Sequence, residues 1–265
     1  MKAFQITDGT EIKPLAFQSA YRKGDAPAEI FRRQAAGEVP RVVKDLRPVR
    51  FIRTITLRDG SFGGLASDSG LLLTFVIAGE LTLTTAGDQK TTLSPGDMLE
   101  IDDKTVSRVG VDARGGCRLI QLGVYPEWPG QEAKIQNPGT PTQRKTGEVT
   151  IKRLDTGKDD RSYYKDFSDL FSGPPNEWSA PRPVDGLRFM SWEDGFIDWH
   201  PEVVNNFAII MSGELEIEAS GDHVAHVYHA GDILLAADRT GVGHINRCRG
   251  FMHGALMVID TRNLW

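Results

Sequence analysis

The stretch GFIDWHPEVVNNFAIIMSGELE, Gly195 to Glu216, carries the residue types best suited to chemistry. It offers one histidine, His200, where a metal site favours two, and an asparagine, Asn206, where a carboxylate is usual. Side chains at i, i+2 and i+6 of a strand share one face. On that parity His200, Glu202 and Asn206 are expected to point inward together from a single strand. An imidazole beside a carboxylate is the start of a ligand set for a divalent transition metal. Asn206 would add a weak oxygen ligand or a group that orients one. The plainer alternative is a hydrogen-bonded, metal-free histidine, with Glu202 turned outward by Pro201.

The other histidines give less. His223, His226 and His229 recur at every third residue of GDHVAHVYHAGD. On a strand that spacing puts His226 and His229 on opposite faces, and His223 falls in the turn, so no shared metal is expected. His253 reads as a packed strand residue. No histidine precedes His200.

The elements that must hold these residues are short strands. LLLTFVIAGELTLTTAGDQKTTLSPGDMLEID alternates in strand fashion between AGE, AGD and SPGD turns, and NNFAIIMSGELEIEASGDHVAHVYHAGDILLAA does the same. Many short strands with regular turn signals indicate a β-sandwich or β-barrel. Two helices are expected, one in Ala26 to Val39 and a shorter one in Tyr163 to Phe171. The two strand-rich stretches lie over one another. Gly79-Glu80 matches Gly213-Glu214, and Gly96-Asp97 matches Gly231-Asp232 across a one-residue gap. An offset held over two such patterns indicates a tandem duplication. Glu127 to Glu148, rich in Pro, Gly and polar residues, suits an exposed connector.

Composition excludes several classes. The 265 residues are 40% hydrophobic and 25% charged, as in ordinary globular proteins. A net charge of −5 with no dense Lys/Arg cluster argues against nucleic acid or a membrane surface as partner. Only two cysteines occur, Cys117 and Cys248, in no CxxC arrangement, which fits a reducing compartment. With no apolar run of signal or membrane-span length, a cytoplasmic location is expected. No nucleotide loop, GxSxG elbow or HExxH helix is present.

A strand, a GE turn, a strand, a (S/A)xGD turn, a strand and a polar loop with a late histidine resembles the cupin superfamily, and its duplication resembles a bicupin. The likeness spans roughly residues 45–125 and 150–260. It is stronger in RLDTGKDDRSYYKDF, DWHPEVVNNFAIIMSGELE and AGDILLAADRTGVGHINR, which are similar to short bacterial cupin proteins of mostly unassigned activity. The resemblance implies an all-β fold of two tandem jelly-roll-type barrels with short N-terminal and linker helices. The expected division is an N-terminal barrel over 1–126, a linker over 127–149 and a C-terminal barrel over 150–265 carrying the site.

The family's first motif sets His-x-His, then Glu, then Gly. Here the matching positions read His200, Glu202, Asn206 and Gly213, so the spacing holds and the residue types drift. In the second motif the Pro and Gly positions read Ala237 and Arg239, and His244 comes two residues late. Thr240 to Gly243 could absorb those two residues as a loop. His244 would then approach from the neighbouring strand, giving a candidate metal set of His200, Glu202, Asn206 and His244. Two imidazoles and a carboxylate with open positions suit Fe(II), and also Mn, Ni or Zn. At the matching positions the first copy carries Ala66, Asp68, Leu72 and Val109, which supply no such set.

Asn246 shares the face of His244 and is a candidate substrate contact. Arg188 either holds an anionic substrate or makes a surface salt bridge. Trp178, Trp192, Phe196, Trp199 and Phe207 read mainly as packing residues near the second barrel. By parity Trp199 and Phe207 face away from His200. The expected function is metal-dependent oxygenase, isomerase or lyase chemistry on a small organic molecule in the C-terminal barrel. The alternative is a metal-free cupin that binds or senses a small ligand. Cupins often pair through barrel edges, so a homodimer is expected.

Overall fold

The computed structural model describes all residues except 16–18, 40–45, 64, 66–69, 103–107, 126–147 and 260–265. The elements run β1 (Ala3–Thr7), β2 (Glu11–Pro14), β3 (Ser19–Lys23), α1 (Ala28–Ala35), β4 (Val49–Thr56), β5 (Gly60–Phe62), β6 (Leu71–Thr84), β7 (Lys90–Leu93), β8 (Met98–Asp102) and β9 (Gly110–Val124). They continue with β10 (Ile151–Thr156), β11 (Ser162–Asp166), β12 (Gly186–His200), β13 (Asn206–Ala219), β14 (Ala225–Tyr228), β15 (Ile233–Ala236) and β16 (His244–Val258). The chain is mostly strand, with short helices, as expected.

Two 8-stranded sheets form, and six strands of each follow the same order, while β5 pairs with β9 in the first alone. The first runs β2-β1-β8-β6-β9-β4, and the second runs β11-β10-β15-β13-β16-β12 before adding β3 at its edge. In both, the matching pair is parallel, β1 with β8 and β10 with β15, and the second sheet has a further parallel pair where β3 joins β12. The short β7 and β14 pair with β6 and β13 in the same way. The duplication read from the turn residues is therefore a duplication of topology.

Two compact units contain these sheets. One takes Met1–Gln18, Pro48–Ile135 and Asp169–Val184, and the other takes Ser19–Arg47, Gln136–Ser168 and Asp185–Trp265. Each unit thus draws on both halves of the chain. The cause is local pairing: β3 lies parallel to β12, with Trp192 opposite Arg22. In the other direction, Arg182 is bridged to Ile52. The first unit's core gathers Leu72, Val76, Leu81, Leu99 and Leu119, and the second gathers Trp192, Ile210, Ile217, Tyr228 and Met252.

Both expected helices are altered. α1 is shorter than the periodicity suggested because Gly37 takes a left-handed φ of 78°. The chain reverses there through Gly37 N–H to Gln34 O and Glu38 N–H to Arg33 O. Residues 163–171 do not form one helix. Tyr163 and Tyr164 pair with β10 as part of β11, and only Ser168–Phe171 makes a 3₁₀ turn. Asp166 separates the two by accepting hydrogen bonds from the Ser168 amide and hydroxyl.

Bulges decide which side chains face inward in the second unit. Along β12, Arg188, Met190 and Trp192 line the interior, then register shifts between Glu193 and Gly195 and between Ile197 and His200 bring Ile197 and His200 to the same side. Along β13, Asn206 and Ala208 give way to Leu215 and Ile217 after a shift near Gly213. A bulge re-aims every residue beyond it.

Candidate metal centre

His200 is the last residue of β12, and His244 is the first of β16. The two pair directly across the sheet, with ring centroids 4.7 Å apart. Their approach depends on glycine. Gly243 has φ of 80°, and a Cβ there would lie 1.9 Å from the His200 carbonyl oxygen. Residues 240–243 form a bend ahead of β16, anchored by Val242 N–H to Asp160 O.

The parity argument needs correction. His200, Glu202 and Asn206 are not on one strand: β12 ends at His200 and β13 starts at Asn206, with Glu202 in the turn between them. They converge because that turn is pinned. The Glu202 N–H donates to Asp238 O at 3.0 Å, Arg239 Nη2 to Val203 O at 3.2 Å, and Asn205 Nδ2 to Ile259 O at 3.1 Å. Pro201 therefore does not turn Glu202 outward. Its side chain is 12% exposed, with Oε1 3.9 Å from His244 Nε2.

Each imidazole is held in one tautomer. His200 Nδ1 donates to the Asp198 carbonyl at 2.7 Å, and His244 Nδ1 donates to Asp238 Oδ2 at 2.7 Å. With Nδ1 committed, the neutral rings present unprotonated Nε2 atoms, the usual posture of a metal-binding histidine. Both rings are 1% exposed. Phe31 of α1 packs on the His200 ring at 4.9 Å. Among the described residues, His200, Glu202 and His244 are the one group of three that could hold a metal, with ligand atoms all within 4.8 Å of one another. Ligands bonded at about 2.1 Å to a common ion lie at most about 4.2 Å apart. The set is within a small side-chain adjustment of that spacing.

Burial and neighbouring charges set the protonation preferences of these three groups. Burial, then the charge of His244, push the His200 pKa down to about 3, so it stays neutral. Burial raises Glu202, against the pull of His244, Arg188 and a hydrogen bond from Asn206. Burial opposes protonation of His244, but the Asp238 carboxylate outweighs it and raises the pKa.

The remaining candidates fall as follows. Asn206, Asn246 and Arg188 all line the cavity next to the triad, so Arg188 is not merely a surface ion-pairing residue. Asn246 Oδ1 is buried with no hydrogen-bond partner. His223 pairs with Glu218, His226 packs on Tyr164, and His229 faces Glu214, so these three share no site. His253 is fully buried against Ser191. Trp192 lines the cavity, whereas Phe207 is fully buried outside its lining and Phe196 is exposed. Trp178 belongs to the first unit, not the second, and stacks under Arg53 at 4.2 Å. In the first copy, Leu72 and Val109 are core residues, while Ala66 and Asp68 lie outside the described residues. The connector 127–148 also lies almost wholly outside them. Three residues of the site carried little or no signal in the sequence. Asp238 was legible only as an acid just before a candidate ligand, while Arg22 and Phe31 come from a segment distant in sequence.

With both sheets and the His200–His244 pair in view, the architecture can be named. It is an all-β architecture in which one strand order is present twice. No protein-family model matches the chain, and no curated protein matches it. Solved structures with similar chains include a cupin 2 conserved barrel domain protein from Leptotrichia buccalis, at 14% identity and TM-score 0.37, covering 81% of this chain and 85% of that one. A protein of unknown function from Pseudomonas syringae pv. tomato shows 14% identity and TM-score 0.38, covering 78% and 82%. The oxalate decarboxylase of Bacillus subtilis, described with Mn(II) centers, shows 14% identity and TM-score 0.27, covering 82% and 70%. The second unit holds the buried His/Glu/His cluster, a potential transition-metal site. No helix among the described residues is long and apolar enough to cross a membrane.

Proposed function

We propose that the second cupin unit is a metal-dependent site acting on a small organic molecule, by oxygenase, isomerase or lyase chemistry. The observation that carries this reading is the pair of imidazoles with Nδ1 committed and Nε2 turned to Glu202 at the wall of a cavity. His200, His244 and Glu202 are the ligands. The hydrogen bond from Asn206 to Glu202 favours Asn206 as the group that orients the carboxylate. Fe, Mn, Ni or Zn all fit two nitrogens and an oxygen with open positions. Such an ion, when bound, polarises a substrate oxygen, binds dioxygen or acidifies a bound water.

The chain's own residues do the rest. Asp238 fixes the His244 tautomer, and the Asp198 carbonyl does the same for His200. Asn246 offers a buried acceptor to a substrate hydroxyl or amine, and Arg188 a charged donor. Trp192, Phe31 and the aliphatic wall exclude water from the reacting end. A cytoplasmic homodimer is part of this reading, and two buried, free cysteines are compatible with that compartment.

The test is turnover. Chelator-stripped protein would be reloaded with Fe(II), Mn(II), Ni(II) or Zn(II) and offered small organic acids, alcohols and amides, with dioxygen uptake and product mass monitored. Turnover that needs one metal and disappears in His200→Ala supports the reading. Metal-independent ligand binding with no turnover under any loading would favour the alternative, a binding or sensing cupin.

A further inference from the structure

The cavity beside the triad measures about 80 Å³. That is room for roughly six water-sized positions, or one small organic molecule. Its wall is mainly apolar, with Met190, Leu215, Ile217, Leu234 and Met252 among its residues. The charged groups on it answer one another: Glu202 acts on Arg22 and on Arg188 while it faces His244. Asn206 bonds to the same carboxylate, and both histidines have Nδ1 committed. Asn246 differs. Its Oδ1 is buried without a hydrogen-bond partner, although the residue lines the cavity. Its neighbours across β12 and β13 are Ile197 and Ile217, whose side chains have nothing to offer an amide.

A buried amide oxygen left unpaired forfeits a hydrogen bond that water would have supplied. Leucine, close to asparagine in shape, would fill the same space without that loss. An amide has an acceptor at one end and two donors at the other, and a half-turn of its last torsion exchanges them. Its complement is a group that both donates and accepts, which in a space this small is a hydroxyl. We propose that the ligand of this cavity is a small, mainly apolar molecule carrying a hydroxyl, and that Asn246 is the residue that selects it. Asn246 stands two residues from His244 on β16, a step of about 7 Å along a strand. The hydroxyl it holds is thus a recognition group, set apart from the end of the molecule that meets the triad. The proposal rests on taking the second unit as a small-molecule site, and it adds the substrate class and the specificity-determining residue.

The experiment titrates 1-butanol and 1-chlorobutane, equal in heavy atoms, into the chelator-stripped full chain and into its Asn246→Leu variant. Shifts of the backbone amide resonances report binding. The probes differ in hydration, but that difference cancels when their affinity ratio is compared between the two chains. Loss of one buried hydrogen bond predicts that the alcohol-to-chloride ratio falls about 10-fold in Asn246→Leu. The variant should unfold at the urea concentration of its parent or higher, because it removes an unpaired polar atom. A ratio that is the same in both chains overturns the proposal, and so does a wild-type chain to which 1-butanol does not bind. A variant less stable than its parent overturns it too, since the amide would then serve the fold. Stripped protein keeps the result apart from the metal reading: the ratio can shift where metal-dependent turnover is never found, and turnover can appear where the ratio does not move.

Discussion

Asp238 holds His244 from behind: its Oδ2 accepts the His244 Nδ1–H at 2.7 Å, while its backbone carbonyl accepts the Glu202 N–H at 3.0 Å. One residue thus positions two of the three candidate ligands, and Ser162 Oγ, donating to the same Oδ2 at 2.7 Å, fixes it in turn. Asp238 is fully buried. A charge so placed is worth its desolvation where it must orient a histidine and raise its basicity.

Asp238→Asn keeps the shape and removes the charge. Metal affinity should fall by about 10- to 100-fold, read by competition against a coloured chelator. The circular dichroism spectrum should stay that of the parent, because the backbone bond to Glu202 does not involve the side chain.

Gly243→Ala tests the approach of the two histidines. Its methyl would meet the His200 carbonyl at 1.9 Å on a backbone of φ 80°. Backbone cannot yield as a flexible side chain does, so a loss of more than about 2 kcal/mol is expected in urea unfolding. Metal binding should weaken with it. Gly250→Ala, also at positive φ but with nothing within 4 Å of its Cβ, should cost less.

His200 gives the metal-free protein a pH signature. Its folded pKa of about 3 lies below the ordinary value of 6.5, so between those limits the unfolded chain binds the extra proton. The His200 contribution to stability is therefore full above pH 6.5 and is lost as pH falls toward 3, at up to about 1.4 kcal/mol per pH unit. The difference in unfolding free energy between wild type and His200→Asn should shrink over that window. A difference that is flat with pH would mean that the ring is not held neutral.

Glu100 in the first unit has the opposite sign. It is 2% exposed, its Oε2 has no hydrogen-bond partner, and burial raises its pKa to about 7. The folded carboxyl keeps a proton that the unfolded chain releases near pH 4.5. Its contribution is present below pH 4.5 and is lost as pH climbs through 7. Glu100→Gln should be close to neutral at pH 4.5 and more stable than wild type at pH 8.5, by on the order of 2 kcal/mol. Chemical denaturation at the two pH values checks this.

Much of the fold was legible because turn chemistry is local. Gly-Glu and Gly-Asp pairs mark chain reversals wherever they occur, and two sets at one offset told of two sheets with one strand order. Strand β3 was not legible in the same way: nothing in SAYRK says that it will lie beside Trp192 rather than with the strands that precede it. Of the site, His200, Glu202 and His244 were gathered as expected, yet for a different reason. Parity on a single strand was assumed, whereas two bulges in β12 and a pinned turn at 201–205 bring the groups together. Bulges are invisible to a period-2 count. The helix expected over 163–171 did not form as one element, because Tyr163 and Tyr164 pair with β10.

The most direct test of the central claim is metal content by mass spectrometry on untagged protein purified without chelator, beside a His200→Ala, His244→Ala double variant. The account predicts close to one equivalent of Fe, Mn, Ni or Zn per chain in the parent and none in the variant. A parent that holds no metal, even after reconstitution, would contradict it.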